Sequence, residues 1–216
     1  MFRYLFLLTS FISINTVFGW DAVQAITIDP SSLRPGEIQL KNDTIPDAGG
    51  QGFLQEGFVA GEKAAVWLKV PTQISKFKTD YFRVILASSR GASNPPSRAQ
   101  IFFQMQTASG PQDSVAAEIE NAADVTPGPY WNDIPAQGAS GGLPCVNGGE
   151  YIGAAIEFTK AGLPSVMRDF IPMKDPRLNL IFAIPGGWQK SLQLGVQGDW
   201  VLRAVGHQAT PEECSK

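Results

Sequence analysis

The sequence predicts an all-β protein, an antiparallel β-sandwich of jelly-roll-like topology with about nine or ten strands. First, 22 Gly and 16 Pro among 216 residues separate short segments that are rich in β-branched and aromatic residues. Second, several of these segments alternate apolar and polar residues with a period of two. Third, no strand–helix–strand rhythm occurs along the chain. A Greek-key sandwich of immunoglobulin-like type is the second interpretation of the same pattern.

The clearest strand signal lies in residues 58–88, where two alternating runs flank a polar connection. In both runs the even-numbered residues are apolar and are expected to face the core: Val66, Leu68, Val70, Phe82, Val84 and Leu86. The odd-numbered residues then take the other face: Trp67, Lys69, Tyr81, Arg83 and Ile85. The two runs are expected to pair as a hairpin, and a second sheet is needed to bury the apolar face.

Further strands are expected wherever β-forming residues alternate or cluster between turn residues: 26–28, 36–41, 98–107, 114–125, 150–158, 178–184, 192–196 and 200–206. The pattern of 114–125 fits a helical face equally well. In 178–184, the inward residues are expected to be Leu178, Leu180, Phe182 and Ile184, with Asn179 opposite them. Loops are expected over 46–52, 88–98 and 126–144, and a turn-rich stretch with one helical turn over 163–175.

The N-terminus has the pattern of a secretory signal peptide. Arg3 precedes an apolar run over residues 5–18, and small residues follow. Residues 1–25 are therefore expected to be removed by cleavage after Ala25, with Gly19 as a second candidate site. The run is shorter than the ~20 apolar residues of a spanning helix, although an uncleaved anchor is the alternative. Residues 26–216 are expected to form a single secreted domain, extracellular or periplasmic.

Two cysteines, Cys145 and Cys214, occur in this chain. In an exported protein such a pair is expected to form one structural disulfide. It would close a loop of about 70 residues, which the chain-entropy model values at roughly 4 kcal/mol. Two free thiols are the alternative.

Composition and charge disfavour some partners. The net charge is −3, charged residues make up 17% of the chain, and no run of three Lys or Arg occurs. We therefore expect no nucleic-acid partner, and no stable membrane insertion once the signal peptide is removed.

Enzymatic motifs are sparse. The single histidine is His207, and no metalloprotease, nucleophile-elbow or phosphate-loop spacing occurs. We therefore assign no catalytic residue, no cofactor and no metal site, and an enzyme is the less favoured interpretation. Paired carboxylates could still serve glycoside hydrolysis. The available glutamates are Glu56, Glu62, Glu118, Glu120 and Glu157.

One stretch offers residues for a ligand: Tyr130, Trp131, Asn132 and Asp133, in the Pro- and Gly-rich segment 126–144. Aromatic faces stack on sugar rings or apolar ligands, and short polar side chains fix their orientation by hydrogen bonds. We predict a ligand-binding site at these four residues. The alternative is that Trp131 folds back as a plug over the end of the sandwich.

The C-terminal sequence LGVQGDWVLR, at residues 194–203 and preceded by Trp188, resembles the last strand of β-sandwich accessory modules in secreted bacterial proteins. This resemblance implies an extracellular, non-catalytic sandwich. We therefore expect a secreted binding or accessory domain whose partner is a glycan or another protein. A carboxylate-dependent polysaccharide-active enzyme and a structural envelope or surface protein are the alternatives.

Overall fold

The computed structural model describes residues 22–87, 99–106, 117–119, 130–136, 144–158, 165–169 and 172–215, with backbone alone at 22–24, 87, 99–106 and 117–119. It confirms an all-β, antiparallel sandwich-like fold. The strands are β1 (Ala22–Ile28), β2 (Ile38–Leu40), β3 (Gly50–Gln55), β4 (Lys63–Lys69), β5 (Lys76–Val84), β6 (Leu86–Ala87), β7 (Ala99–Gln106), β8 (Ala117–Ile119), β9 (Asn132–Pro135), β10 (Val146–Asn147), β11 (Tyr151–Phe158), β12 (Ser165–Arg168), β13 (Asn179–Ala183), β14 (Gly187–Lys190) and β15 (Leu202–Gln208). The helix in the described residues is a single 3-10 turn, Ser191–Leu194.

These strands form three antiparallel sheets. The six-stranded sheet has the order β14-β13-β4-β11-β7-β8, and the four-stranded sheet has the order β1-β3-β12-β6. The five-stranded sheet has the order β10-β5-β15-β2, with β9 beside β5. Because β5 pairs with β15 along one edge and with β9 and β10 along the other, it organises this sheet.

The main core lies between the six-stranded and five-stranded sheets. The six-stranded sheet contributes Val66, Leu68, Ile152 and Ile156, and the five-stranded sheet contributes Phe82, Val84, Leu202 and Ala204. Each large side chain buried in this way stabilises the fold by about 1.5–3 kcal/mol. Trp200 is also in this core, with no exposed surface.

A smaller second core lies against the four-stranded sheet. Its buried members are Ile28, Ile45, Leu54, Ile85, Met167 and Val201, and Trp131 packs at its margin. This core ties the N-terminal strands to the outer face of the five-stranded sheet.

The expected hairpin between the two runs of residues 58–88 is wrong. The runs do form strands β4 and β5, and their even-numbered residues are buried as predicted. However, β4 pairs with β11 and β13, whereas β5 pairs with β15, β9 and β10. The two strands therefore face each other across the main core, so their apolar faces bury one another.

The predicted orientation of 178–184 is also wrong, because the odd-numbered residues of this strand face the core and the even-numbered residues do not. In β13, Ile181 and Ala183 are buried in the main core, while Ile184 is 49% exposed. Asn179, which was expected to face outward, is fully buried because its amide is used inside the protein. Its Nδ2 donates to Asp199 Oδ1, and its Oδ1 accepts from the Trp200 backbone N–H at 3.0 Å.

Several expected loops contain strands. The loop predicted at 46–52 gives way to β3 from Gly50 onward, and β9 lies within 126–144. β12 lies within 163–175, and the described residues of that stretch contain no helical turn. Conversely, the strand predicted at 192–196 is a 3-10 turn. The strands β3, β9 and β12 form because neighbouring strands supply hydrogen bonds, and local sequence patterns do not reveal those neighbours.

The strands expected at 98–107, 114–125 and 150–158 are confirmed within the described residues as β7, β8 and β11. The strand expected at 200–206 is β15, which lies between β5 and β2. β1 begins at Ala22, before the predicted cleavage site after Ala25. The loop predicted at 88–98 lies outside the described residues.

The disulfide between Cys145 and Cys214 is confirmed, with the two Cα atoms 5.4 Å apart. It fixes the C-terminal turn beside the start of β10. Within the ranges described above, no helix has the length and hydropathy needed to cross a bilayer.

Candidate functional site

The pairing of β5 with β9 sets polar side chains on the outer face of the five-stranded sheet. Phe82 lies opposite Ile134, and both are buried in the main core. Because side chains alternate along a strand, Tyr81 and Arg83 of β5 and Asp133 of β9 take the outer face. Arg83 and Asp133 are directly opposite each other in the register.

Arg83 holds this face together. Its Nε donates to Asp133 Oδ1 at 2.6 Å and its Nη2 donates to Asp133 Oδ2 at 2.8 Å. Its Nη1 donates to Ser31 Oγ at 2.7 Å and to the Ser32 carbonyl at 3.1 Å. The hydrogen bond to Asp133 raises the pKa of Arg83. Two parallel charge-assisted bonds fix the position of the Asp133 carboxylate within a narrow range.

An open polar cleft lies beside this pair. Tyr81 Oη donates to Glu37 Oε2 at 3.0 Å, and the same Glu37 oxygen accepts from the Arg34 backbone N–H at 2.6 Å. Burial raises the pKa of Tyr81, and the hydrogen bond to Glu37 adds to this rise. The residues that line the cleft are Arg34, Glu37, Asp80, Tyr81, Asp133 and Pro135.

A second arginine lies beside Arg83, on the neighbouring strand β15. Arg203 is opposite Arg83 in the register and has no exposed surface. Its Nη2 and Nε contact Asp43 Oδ1 and Oδ2 at 2.6 and 2.9 Å, and its Nη1 contacts Asp47 Oδ1 at 3.1 Å. Burial raises the pKa of Asp43, and the bonds from Arg203 oppose that rise. Each arginine of this pair therefore has its own aspartate, which offsets their mutual repulsion.

Trp131 covers the two arginines. The centre of its ring is 4.6 Å from Arg203 Cζ and 5.8 Å from Arg83 Cζ, distances at which a cation is attracted to an aromatic face. Its Nε1 donates to the Asp29 carbonyl at 3.0 Å. The side chain is half-buried against the second core. The indole is thus held in one position by the two arginines, the second core and the hydrogen bond to Asp29.

The four predicted site residues have different surroundings. Asp133 lines the cleft, and Tyr130 is 56% exposed three residues before it. Trp131 packs over the arginine pair, and the Asn132 side chain donates to the Val84 carbonyl at 3.5 Å. Asn132 and Asp133 belong to β9 and not to a loop, which corrects their predicted setting. The strand gives Asp133 a fixed orientation that a loop would not.

One wall of the cleft meets the C-terminal turn. The cleft residue Asp80 contacts His207, with Oδ2 and Nδ1 2.7 Å apart, and the other ring nitrogen of His207 is 3.2 Å from Glu213 Oε1. The hydrogen bond to Asp80 raises the pKa of His207. His207 lies near the end of β15.

A separate acidic group is buried inside the fold. Asp199 is 2% exposed, and burial raises its pKa to about 6, helped by the charges of Asp169 and Asp43. Its Oδ2 has no hydrogen-bond partner. Asp169 accepts from the Asp199 backbone N–H at 2.8 Å and from the Thr44 backbone N–H at 2.8 Å. This cluster does not line the cleft and joins three chain segments.

Sequence patterns did not identify the arginines, Glu37 or Tyr81 as site residues. A signal for the arginines was present, since Arg83 and Arg203 each interrupt a strongly apolar strand. A charge in that position requires a buried partner. The partners themselves, Asp43 and Asp133, are distant in the sequence and were not predictable.

In the described part of the chain, no group of three His, Cys, Asp or Glu side chains is arranged to hold a metal ion. Comparison of the chain with protein-family models, with curated proteins and with solved structures finds no match.

Proposed function

We propose that this protein is a secreted, non-enzymatic binding module whose cleft between β5, β9 and the segment before β2 takes a hydroxyl-rich ligand of the carbohydrate class. The observation that carries the proposal is the fixed Asp133 carboxylate at the cleft, held by two bonds from the buried Arg83. Tyr81 and Glu37 add further oxygen atoms that are oriented before any ligand arrives. Such preorganised acceptors suit sugar hydroxyl donors, because little ordering is needed on binding.

The exposed ring of Tyr130 supports the carbohydrate class. It lies three residues before Asp133 and is 56% exposed. An aromatic face stacks on the apolar face of a sugar ring, while adjacent polar groups fix its orientation. In this arrangement Trp131 supports the site from beneath and does not itself contact the ligand.

The hydrogen bonds of the two cleft carboxylates, Glu37 and Asp133, favour ligand binding over glycoside hydrolysis. Glycoside hydrolysis needs one carboxylic acid that holds a proton and donates it to the leaving group. Both Asp133 oxygens accept from Arg83, and Glu37 Oε2 accepts from Tyr81 and Arg34. In these contacts the carboxylate oxygens are hydrogen-bond acceptors. We therefore assign Glu37 and Asp133 to ligand orientation.

A polysaccharide-active enzyme is the second candidate, because Glu37 and Asp133 line the same cleft. A structural envelope or surface role has no particular observation in its favour.

The experiment is a glycan-array screen of the purified protein, followed by turnover assays on every glycan that binds. We expect binding without turnover, and we expect Tyr81→Phe to weaken it, because this change removes one hydroxyl and keeps the ring. Release of reducing ends would overturn the binding-module assignment in favour of the enzyme. No binding to any glycan would overturn the ligand class.

A further inference from the structure

The C-terminal turn is attached to the wall of the cleft through a histidine between two carboxylates. His207 Nδ1 is 2.7 Å from Asp80 Oδ2, and its Nε2 is 3.2 Å from Glu213 Oε1. Asp80 belongs to β5 and lines the cleft, whereas Glu213 belongs to the C-terminal turn. The imidazole is thus the bridge between two elements of the fold.

The geometry has one consistent protonation state. An ionised carboxylate only accepts hydrogen bonds, and a neutral imidazole has only one N–H. Both contacts can therefore be hydrogen bonds only when His207 is the imidazolium ion. When the proton leaves, one carboxylate faces a nitrogen lone pair, and that contact changes from attraction to repulsion.

The turn depends on the same carboxylate. Glu213 Oε2 accepts from the Thr210 backbone N–H at 2.8 Å, and the Glu213 carbonyl accepts from Lys78 Nζ at 3.1 Å. Cys214 follows directly and is bonded to Cys145. The disulfide retains the turn near β10, so loss of the histidine contact loosens the turn without detaching it.

We propose that His207, Asp80 and Glu213 form a proton-dependent clamp that holds the C-terminal turn against the wall of the cleft. The clamp is closed at acidic pH and opens as the pH rises, because His207 loses its proton. Opening breaks the contact with Glu213, because the one N–H of the neutral imidazole stays on Nδ1, the ring nitrogen with the shorter contact, to Asp80. The significance of the clamp for ligand binding rests on the proposed function, whereas the clamp itself does not.

The charged groups around His207 are few. Asp80 and Lys78 come from β5, where Lys78 is the residue opposite His207 in the register. Glu213 comes from the C-terminal turn. The two carboxylates raise the pKa of His207, with the hydrogen bond to Asp80 as the larger cause. This direction places the opening of the clamp at a higher pH than the deprotonation of an ordinary histidine.

The test is an NMR titration of the full mature protein without ligand. Because the chain contains one histidine, its imidazole signals need no assignment. We expect both ring nitrogens to carry protons at pH 5.5, and the pKa of His207 to lie above that of a histidine in a short peptide. Asp80→Asn should lower this pKa, and Glu213→Gln should lower it less. The matched control Asp175→Asn removes an aspartate that contacts Arg177 elsewhere and should leave it unchanged.

The second readout is hydrogen exchange at the Thr210 amide. Amide exchange is base-catalysed, so its rate rises with pH in any protein. In wild type the rate at Thr210 should rise more steeply than base catalysis predicts, because the clamp opens. In His207→Gln the rate should rise only as base catalysis predicts. The clamp would be overturned if the pKa of His207 equals that of a histidine in a short peptide, or if Asp80→Asn leaves this pKa unchanged. So would a Thr210 amide whose exchange is the same in wild type and His207→Gln. Because no ligand is present, such a failure leaves the glycan screen intact, and a negative screen leaves the clamp intact.

Discussion

Trp131→Ala tests whether the indole supports the arginine pair. A fully buried Trp→Ala change costs about 3–5 kcal/mol, and the half-buried ring of Trp131 reduces this to about 2 kcal/mol. Loss of the attraction to Arg83 and Arg203 adds about 0.5–1 kcal/mol. Loss of the hydrogen bond to the Asp29 carbonyl adds another 0.5–1 kcal/mol or so. We therefore expect the free energy of unfolding to fall by about 3 kcal/mol.

The assay is urea unfolding followed by far-ultraviolet circular dichroism, which does not depend on the removed tryptophan. A loss of this size corresponds to a Tm lower by about 6–12 °C for a chain of this length. Tyr130→Ala is the matched control, because its exposed ring should change stability by less than about 0.5 kcal/mol. If Trp131→Ala unfolds like wild type but loses ligand binding, the support role is refuted and Trp131 is a recognition surface.

Three further predictions concern stability and are measured by urea unfolding. Asp199 has a pKa of about 6 in the fold against 3.8 ordinarily, so the native state holds more protons than the unfolded state between these values. Wild type should therefore lose up to about 3 kcal/mol more stability than Asp199→Asn as the pH rises from 4 to 7.5 or so; equal pH profiles would contradict this. Arg203→Met leaves Asp43 buried and unpaired and should cost about 3–5 kcal/mol, and a loss below about 1 kcal/mol would show that Asp43 needs no partner. Gly153→Ala places a Cβ 2.2 Å from the Trp67 ring and should cost about 1–3 kcal/mol; unchanged stability would mean that the indole moves freely.

The sequence predicted the features of this fold that depend on local pattern. The period-two alternation at 66–70 and 82–86 identified two strands and their buried faces, because one face of each meets the main core. The two cysteines predicted their own bond, since only one pairing exists. The fold class followed from the spacing of turn residues.

The sequence did not predict features that depend on distant partners. The pairing of β4 with β11 and of β5 with β15 is set by the packing of the whole sandwich, so adjacency in the chain suggested a hairpin that does not form. Asn179 looked like a surface residue because its partner, Asp199, lies 20 positions away. Its burial reversed the expected orientation of β13.

The candidate site likewise combines a part that the sequence predicted with parts that depend on distant residues. Residues 130–133 were singled out from their composition, and one of them, Asp133, lines the cleft. Apart from Pro135, the rest of the cleft comes from β5 and the segment before β2, which no local pattern joins to Asp133. The function of Asp133 as a ligand contact remains a prediction.

The most direct test of the proposed binding site is the affinity of Asp133→Asn for the glycans that wild type binds, measured by isothermal titration calorimetry. Asp175→Asn is the matched control, since Asp175 also contacts an arginine through both oxygens but lies outside the cleft. The Tm of each variant is recorded, so that loss of folding is separated from loss of binding. We predict that Asp133→Asn, while still folded, weakens binding tenfold or more, about the loss of one hydrogen bond to a charged group. Equal affinities for wild type, Asp133→Asn and Asp175→Asn would contradict a binding site at this cleft.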